Sequence, residues 1–142
     1  MNRAVTDTSF LSHALIPSQK TAEAEKAFDE ALTAGRELFV SGPILVEFFS
    51  VLRKLVMRGN LAIIDANDIR RALSRSVTGV WPATEHDAQS AFVLATRLGQ
   101  SDIFDTTGYV IAQRNDAEFW VSDRRFANAS TAAQLSGVVL HL

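Results

Sequence analysis

Short apolar runs alternate along this chain with longer stretches in which apolar residues recur every three or four positions, the spacings of buried strands and amphipathic helices. A first strand, Arg3–Thr6, leads into a helix expected to begin near Thr8. Pro17 and Ser18 break that helix, and Ser18 or Thr21 is placed to cap the next one, which ends before Gly35. Leu38–Val40 reads as a strand stopped by Ser41, Gly42 and Pro43; Pro43 suits a first helical turn, where its missing N–H costs nothing. The clearest helix runs from Ile44 to about Arg58, with Leu45, Phe48, Phe49, Leu52, Leu55 and Val56 on one face and Gly59-Asn60 as its stop. A further helix is expected from about Ala66 to Val77, capped by Asp65, followed by a strand at Gly79–Trp81. Thr84 and Asp87 resemble a capping box opening a helix that carries Ala88, Ala91, Phe92, Leu94 and Ala95 and stops at Gly99. The remaining elements are a helix over Asp102–Asn115, a strand over Glu118–Ser122, a turn or helix from Arg124 and a last strand at Val138–Leu140.

Strands separated by helices predict an α/β fold whose parallel sheet is covered on both faces. No repeat, low-complexity tract or linker divides the sequence, so residues 1–142 are read as one domain. The composition, 47% hydrophobic and 21% charged, is that of a soluble globular protein. There is no cysteine, which removes disulfides, thiolate zinc sites and cysteine nucleophiles and fits a reducing cytoplasm. The N-terminal stretch is a poor signal peptide, and no apolar run is long enough for a membrane helix. The formal charge of −2 counts mildly against a phosphate-binding surface. If four of the acids held metal, however, the balance would become net basic.

At least three of four acids fall at positions where chemistry gathers in a parallel sheet, outside the carboxyl ends of the strands. Asp7 follows the first strand directly, and Asp123 follows Phe119-Trp120-Val121-Ser122. Glu47 lies in the first turns of the helix after the second strand, and Asp105 in the first turn of its own helix, where its placement is less constrained. Like charges held close repel unless a cation sits among them. Hard carboxylate oxygens without thiolates suit Mg²⁺ or Mn²⁺. Two such ions roughly 4 Å apart stabilise both the attacking and the leaving oxygen of a phosphodiester displacement, and no Ser or Cys nucleophile is then needed. Each acid taken singly has a plainer role: Asp7 or Asp123 as a helix N-cap, Glu47 on a solvated face with Lys54 and Arg58, and any of them as a first-turn acid favoured by the helix dipole.

Thr6-Asp7-Thr8-Ser9-Phe10-Leu11, Pro43-Ile44-Leu45-Val46-Glu47-Phe48, the stretch from Ser101-Asp102-Ile103-Phe104-Asp105 through Thr106-Thr107-Gly108-Tyr109 to Ala112, and Trp120-Val121-Ser122-Asp123-Arg124-Arg125-Phe126 resemble, in order, the four motifs of the PIN-domain family. Within that family the chain looks like the small ribonuclease toxins of the VapC type. The resemblance implies a three-layer α/β/α sandwich around a central parallel sheet and a Mg²⁺- or Mn²⁺-dependent endoribonuclease. It further implies an RNA substrate, a homodimer and a small cognate antitoxin protein, with Asp7, Glu47, Asp105 and Asp123 as metal-binding and catalytic residues. The chain departs from the pattern at Val121, where a Ser or Thr is usual two residues before the fourth acid, and at Asp102, which stands where Ser or Thr is common. A structure-specific DNA nuclease of the same fold, or a catalytically degenerate binding module, is the alternative.

Around these acids, Thr8, Ser9, Asp102 and Ser122 are candidates to support the site. Thr8 and Ser9 could hydrogen-bond Asp7 or a metal-bound water, with helix capping as their plainer role, while Asp102 reads first as the N-cap of the helix carrying Asp105. Arg124 and Arg125 are candidates to touch substrate phosphate. Gly108 and Ala112 share a helical face with Asp105, where small residues serve either open space or close packing. Arg70, Arg71 and Arg75 lie along one helix, best read as a solvated face. Phe48, Phe49, Phe92 and Trp81 are expected in the core or at a dimer contact, and His13, His86 and His141 show no ligand spacing.

Overall fold

The computed structural model describes residues 2–142. Five strands, β1 (Arg3–Thr6), β2 (Glu37–Ser41), β3 (Gly79–Trp81), β4 (Glu118–Val121) and β5 (Val138–Leu140), form one sheet in the order β3-β2-β1-β4-β5. All four pairings are parallel. Between them lie α1 (Thr8–Leu15), α2 (Ala22–Thr33), α3 (Gly42–Met57), α4 (Ile63–Ser76), α5 (Glu85–Leu98), α6 (Phe104–Arg114) and α7 (Arg124–Ala132). The chain builds outward from β1 through β2 to β3, then returns to place β4 on the other side of β1. The crevice beyond the carboxyl ends of β1 and β4 is therefore the point where strand order reverses, the preferred site in open α/β sheets.

Alternation along the strands divides the interior into two faces. Val5, Phe39, Phe119 and Val121 point to one side, where they pack with Leu94 of α5, Tyr109 and Ala112 of α6, and Phe126 of α7. Ala4, Leu38 and Trp120 point to the other and meet Phe10 and Ala14 of α1 and Phe28 of α2. Val40 extends that second layer through Leu11 to Ile44, Phe48 and Leu52 of α3 and Leu73 of α4. The result is the expected α/β/α sandwich. Among the described residues, no helix is long and apolar enough to cross a membrane.

Most elements begin and end where the sequence places them. Thr21 caps α2, Pro43 sits in the first turn of α3, and Thr84 with Asp87 completes a capping box. Three expectations change. Helix α4 starts at Ile63, not Ala66, and Ala62 precedes it without a side-chain cap; Asp65 lies inside the first turn, where the helix dipole favours its charge. Helix α6 starts at Phe104 because Asp102 turns its carboxylate onto the Phe104 N–H, 3.2 Å away, and bends the chain before the helix begins. Phe92 is 64% exposed, since Ala91, Leu94 and Ala95 already fill the inner face of α5. Trp81 instead stacks on Phe39 at 3.7 Å between ring centroids.

Candidate active site

Asp7 leaves β1 and becomes the N-cap of α1. Its Oδ1 accepts the Phe10 N–H at 2.7 Å, and the Ser9 hydroxyl donates to the carboxylate at 2.7–2.8 Å. Ser9 also accepts the Ser122 N–H at 3.0 Å, while the Asp7 N–H donates to the Trp120 carbonyl at 3.0 Å. The ends of β1 and β4 are thus tied together at the acid itself. Asp7 is only 1% exposed. Burial holds its carboxyl well above the usual range; Asp105 and then Asp123 push the same way, and the bonds from Phe10 and Ser9 oppose them.

Asp105, in the first turn of α6, is pushed up to about 7, first by burial and then by the charges of Glu47, Asp123 and Asp102. It is the hub of the cluster, close enough to acids from α3, α7 and its own preceding loop to feel each. Asp123 caps α7, and its Oδ1 accepts the N–H groups of Arg125 (2.9 Å) and Phe126 (3.4 Å). Among the described residues, Oδ2 of Asp123 has no protein partner. Capping and clustering therefore coexist at Asp7 and Asp123: the cap holds each side chain in place while its charge faces the other acids. Glu47 is half-buried and accepts a short hydrogen bond from the Thr8 hydroxyl. That contact ties its carboxylate to the start of α1, whereas Lys54 and Arg58, further along the helix, stand exposed.

The surrounding residues divide. Ser9 supports Asp7 as expected, but Thr8 supports Glu47, 39 positions away in sequence. The Ser122 hydroxyl turns away to the carbonyl of His141, so only its backbone N–H serves the site, through Ser9. Asp102 is exposed and is not the N-cap expected of it: Ile103 holds that position without a side-chain cap, and Asp102 accepts the Phe104 N–H from one residue further out, with its charge reaching Asp105. Arg124 and Arg125 are both exposed; Arg125 lines a cleft of about 240 Å³ with Gln100, Ser101, Asp102, Asp105 and Asp123. Gly108 serves packing: a Cβ there would stand 2.7 Å from the Phe119 ring.

Among the described residues, no three His, Asp or Glu side chains close into a preformed metal cage. What the fold assembles is a looser group of carboxylates, of which the two most buried hold protons more tightly than usual because of their burial and of each other. Hard oxygen donors whose mutual repulsion a divalent cation would relieve suit Mg²⁺ or Mn²⁺ in type. Asp87, by contrast, is a buried acid outside the group. Burial alone would raise its pKa, but bonds from the Thr84 N–H and from Arg114 more than offset this and hold it low.

The PIN domain model matches residues 4–131, and the chain belongs to the PIN domain family. PIN domains are nucleases. Among solved structures, the fold is similar to that of PAE2754 from Pyrobaculum aerophilum (TM-score 0.68, 15% identity, 96% of this chain and 81% of that one). It is also similar to Mycobacterium tuberculosis VapC20, described as a sarcin-ricin loop cleaving toxin (TM-score 0.63, 18% identity, 89% and 94% covered). A toxin–antitoxin complex from Klebsiella pneumoniae matches at a TM-score of 0.63 with 20% identity, covering 96% and 95%. No curated protein matches the sequence significantly.

Proposed function

We propose that the protein is a divalent-metal-dependent endoribonuclease and the toxin of a toxin–antitoxin pair. The observation that supports this most is the convergence of charge on Asp105, whose carboxyl burial and then Glu47, Asp123 and Asp102 push to about 7, while Asp105 in turn raises Asp7. In this reading Asp7, Asp105 and Asp123 hold Mg²⁺ or Mn²⁺, and Glu47, kept inward by Thr8, completes the site or orients the attacking water. Bound there, the metal supplies Lewis-acid stabilisation of charge on the reacting phosphate oxygens. Ser9 keeps Asp7 aligned with the end of β4, Asp102 adds to the field at Asp105, and Arg125 stands beside the acids to take a non-bridging phosphate oxygen. Arg124 is a second candidate for the same backbone.

The choice of RNA over DNA and the antitoxin draw on the fold shared with solved toxins, one described as cleaving the sarcin-ricin loop and another solved in a toxin–antitoxin complex, while the homodimeric state rests on the motif resemblance alone. The test is a side-by-side digestion of single-stranded RNA, single-stranded DNA and flap DNA with Mg²⁺, Mn²⁺ or EDTA. RNA is expected to be cut only with metal, and Asp7→Asn to lose at least about a hundredfold in rate, as for removal of a principal charge-stabilising group. Preferential cutting of the flap DNA, or full activity of Asp7→Asn, would overturn the proposal.

A further inference from the structure

A second cleft, of about 440 Å³, has Glu47 of the acid cluster on its wall, and its Phe104 directly precedes Asp105, which lines the cleft of about 240 Å³. It is lined by Pro43, Val46, Glu47, Ser50, Lys54 and Phe104. Phe104 opens α6 and is 39% exposed, and Val46 is 67% exposed, so the fold leaves an aromatic ring and an apolar wall uncovered beside charged residues. Glu47, Ser50 and Lys54 follow one another along a single face of α3. Lys54 is exposed and, among the described residues, has no ion-pair partner. Phe48 and Leu52 of α3 are buried against α1 and α4, and Tyr109 of α6 is buried against β4, whereas Phe104 belongs to neither core cluster.

We infer that this cleft binds an unpaired nucleotide of the RNA next to the reacting phosphate, with the base stacked on Phe104 and the following phosphate on Lys54. The inference rests on the nuclease reading above and names the class of RNA it acts on. Lys54 lies two helical turns from Glu47, roughly 10 Å along the axis, so a strand whose scissile phosphate sits at the acids passes the ammonium with its neighbouring phosphate. An apolar wall with an exposed ring suits a π-face of any sequence. A base still paired in a duplex has both faces stacked and cannot lie on Phe104, so the cleft selects single-stranded or looped RNA.

The experiment measures binding separately from cleavage, by fluorescence anisotropy of a labelled single-stranded RNA oligonucleotide and of its duplex, using Asp7→Asn protein. Phe104→Ala is expected to weaken single-strand binding by about 10-fold, within the range for loss of one base–aromatic stack, and to leave duplex binding unchanged. Phe104→Trp should restore it, which separates stacking from any effect on folding. Lys54→Ala should reduce the slope of log affinity against log salt by about 0.7, the value for one phosphate contact on a single strand. Single-strand binding that is unaffected by Phe104→Ala, or lost equally for single strand and duplex, would overturn the inference even if the wild-type protein cleaves RNA. Protein that binds single strands through Phe104 yet cuts nothing would overturn the nuclease reading and leave the cleft in place.

Discussion

Asp105→Asn separates the electrostatic cost of the acid cluster from its use. Without divalent ions, the Asp105 carboxyl rises from 3.8 to about 7 through burial and then through Glu47, Asp123 and Asp102. Between those values the folded protein keeps a proton that the unfolded chain releases, so this group's contribution is full below about pH 4 and is lost as pH rises to 7. At about 1.36 kcal/mol per pH unit, the whole window corresponds to about 4 kcal/mol. Asp105 is partly open to solvent and shares its titration with Asp7, so roughly half, about 2 kcal/mol, is the effect to expect. Asparagine keeps the shape and cannot ionise. In EDTA, urea unfolding should show Asp105→Asn gaining about 2 kcal/mol on wild type between pH 4 and pH 8, a midpoint shift of about 1 M. A stability difference that stays constant over this pH range would refute the convergence of charges at Asp105.

Two further substitutions test residues assigned to structure. Asp87→Ala removes a capping box and two bonds to Arg114, 2.9 and 3.1 Å long, and should cost about 2–3 kcal/mol in the same assay, less than a fully buried pair because Arg114 is half exposed. The folded fraction of that variant should keep its cleavage rate per molecule. Gly108→Ala forces a Cβ to within 2.7 Å of Phe119, a ring packed edge-on against both Tyr109 and Phe126, and should cost about 1–3 kcal/mol. Unchanged stability with altered cleavage would instead assign the missing side chain to the site.

The parts of this protein legible in its sequence are those fixed by local rules. Asp7 and Asp123 stand at strand ends, and a strand-to-helix junction leaves an acid little choice of where to point. The capping box at Thr84 and Asp87 and the stop at Gly99 are similarly local, and the structure has both. Glu47 was ambiguous because its helical position alone is compatible with solvent; what turns it inward is Thr8, brought near by the pairing of β1 with β2. Thr8 was expected at Asp7 for the same reason, since sequence proximity favours the nearer carboxylate. The direction of the Ser122 hydroxyl is set by the C-terminal segment beside β4, a non-local contact with His141. Phe92 shows the limit of counting hydrophobic residues: alanines and Leu94 fill the inner face of α5, and the largest apolar side chain is left outside.

The central claim is that acids from four separate segments form one divalent-cation site, and titration calorimetry with Mn²⁺ at neutral pH tests it most directly. Wild-type protein should bind Mn²⁺ with release of protons, because Asp105 titrates near 7 and must give up its proton to the cation. Asp7→Asn and Asp105→Asn should each abolish most of that binding, while Asp87→Ala should retain it. Absence of Mn²⁺ binding by the wild type, or binding undiminished from wild type in Asp7→Asn and Asp105→Asn, would contradict the account.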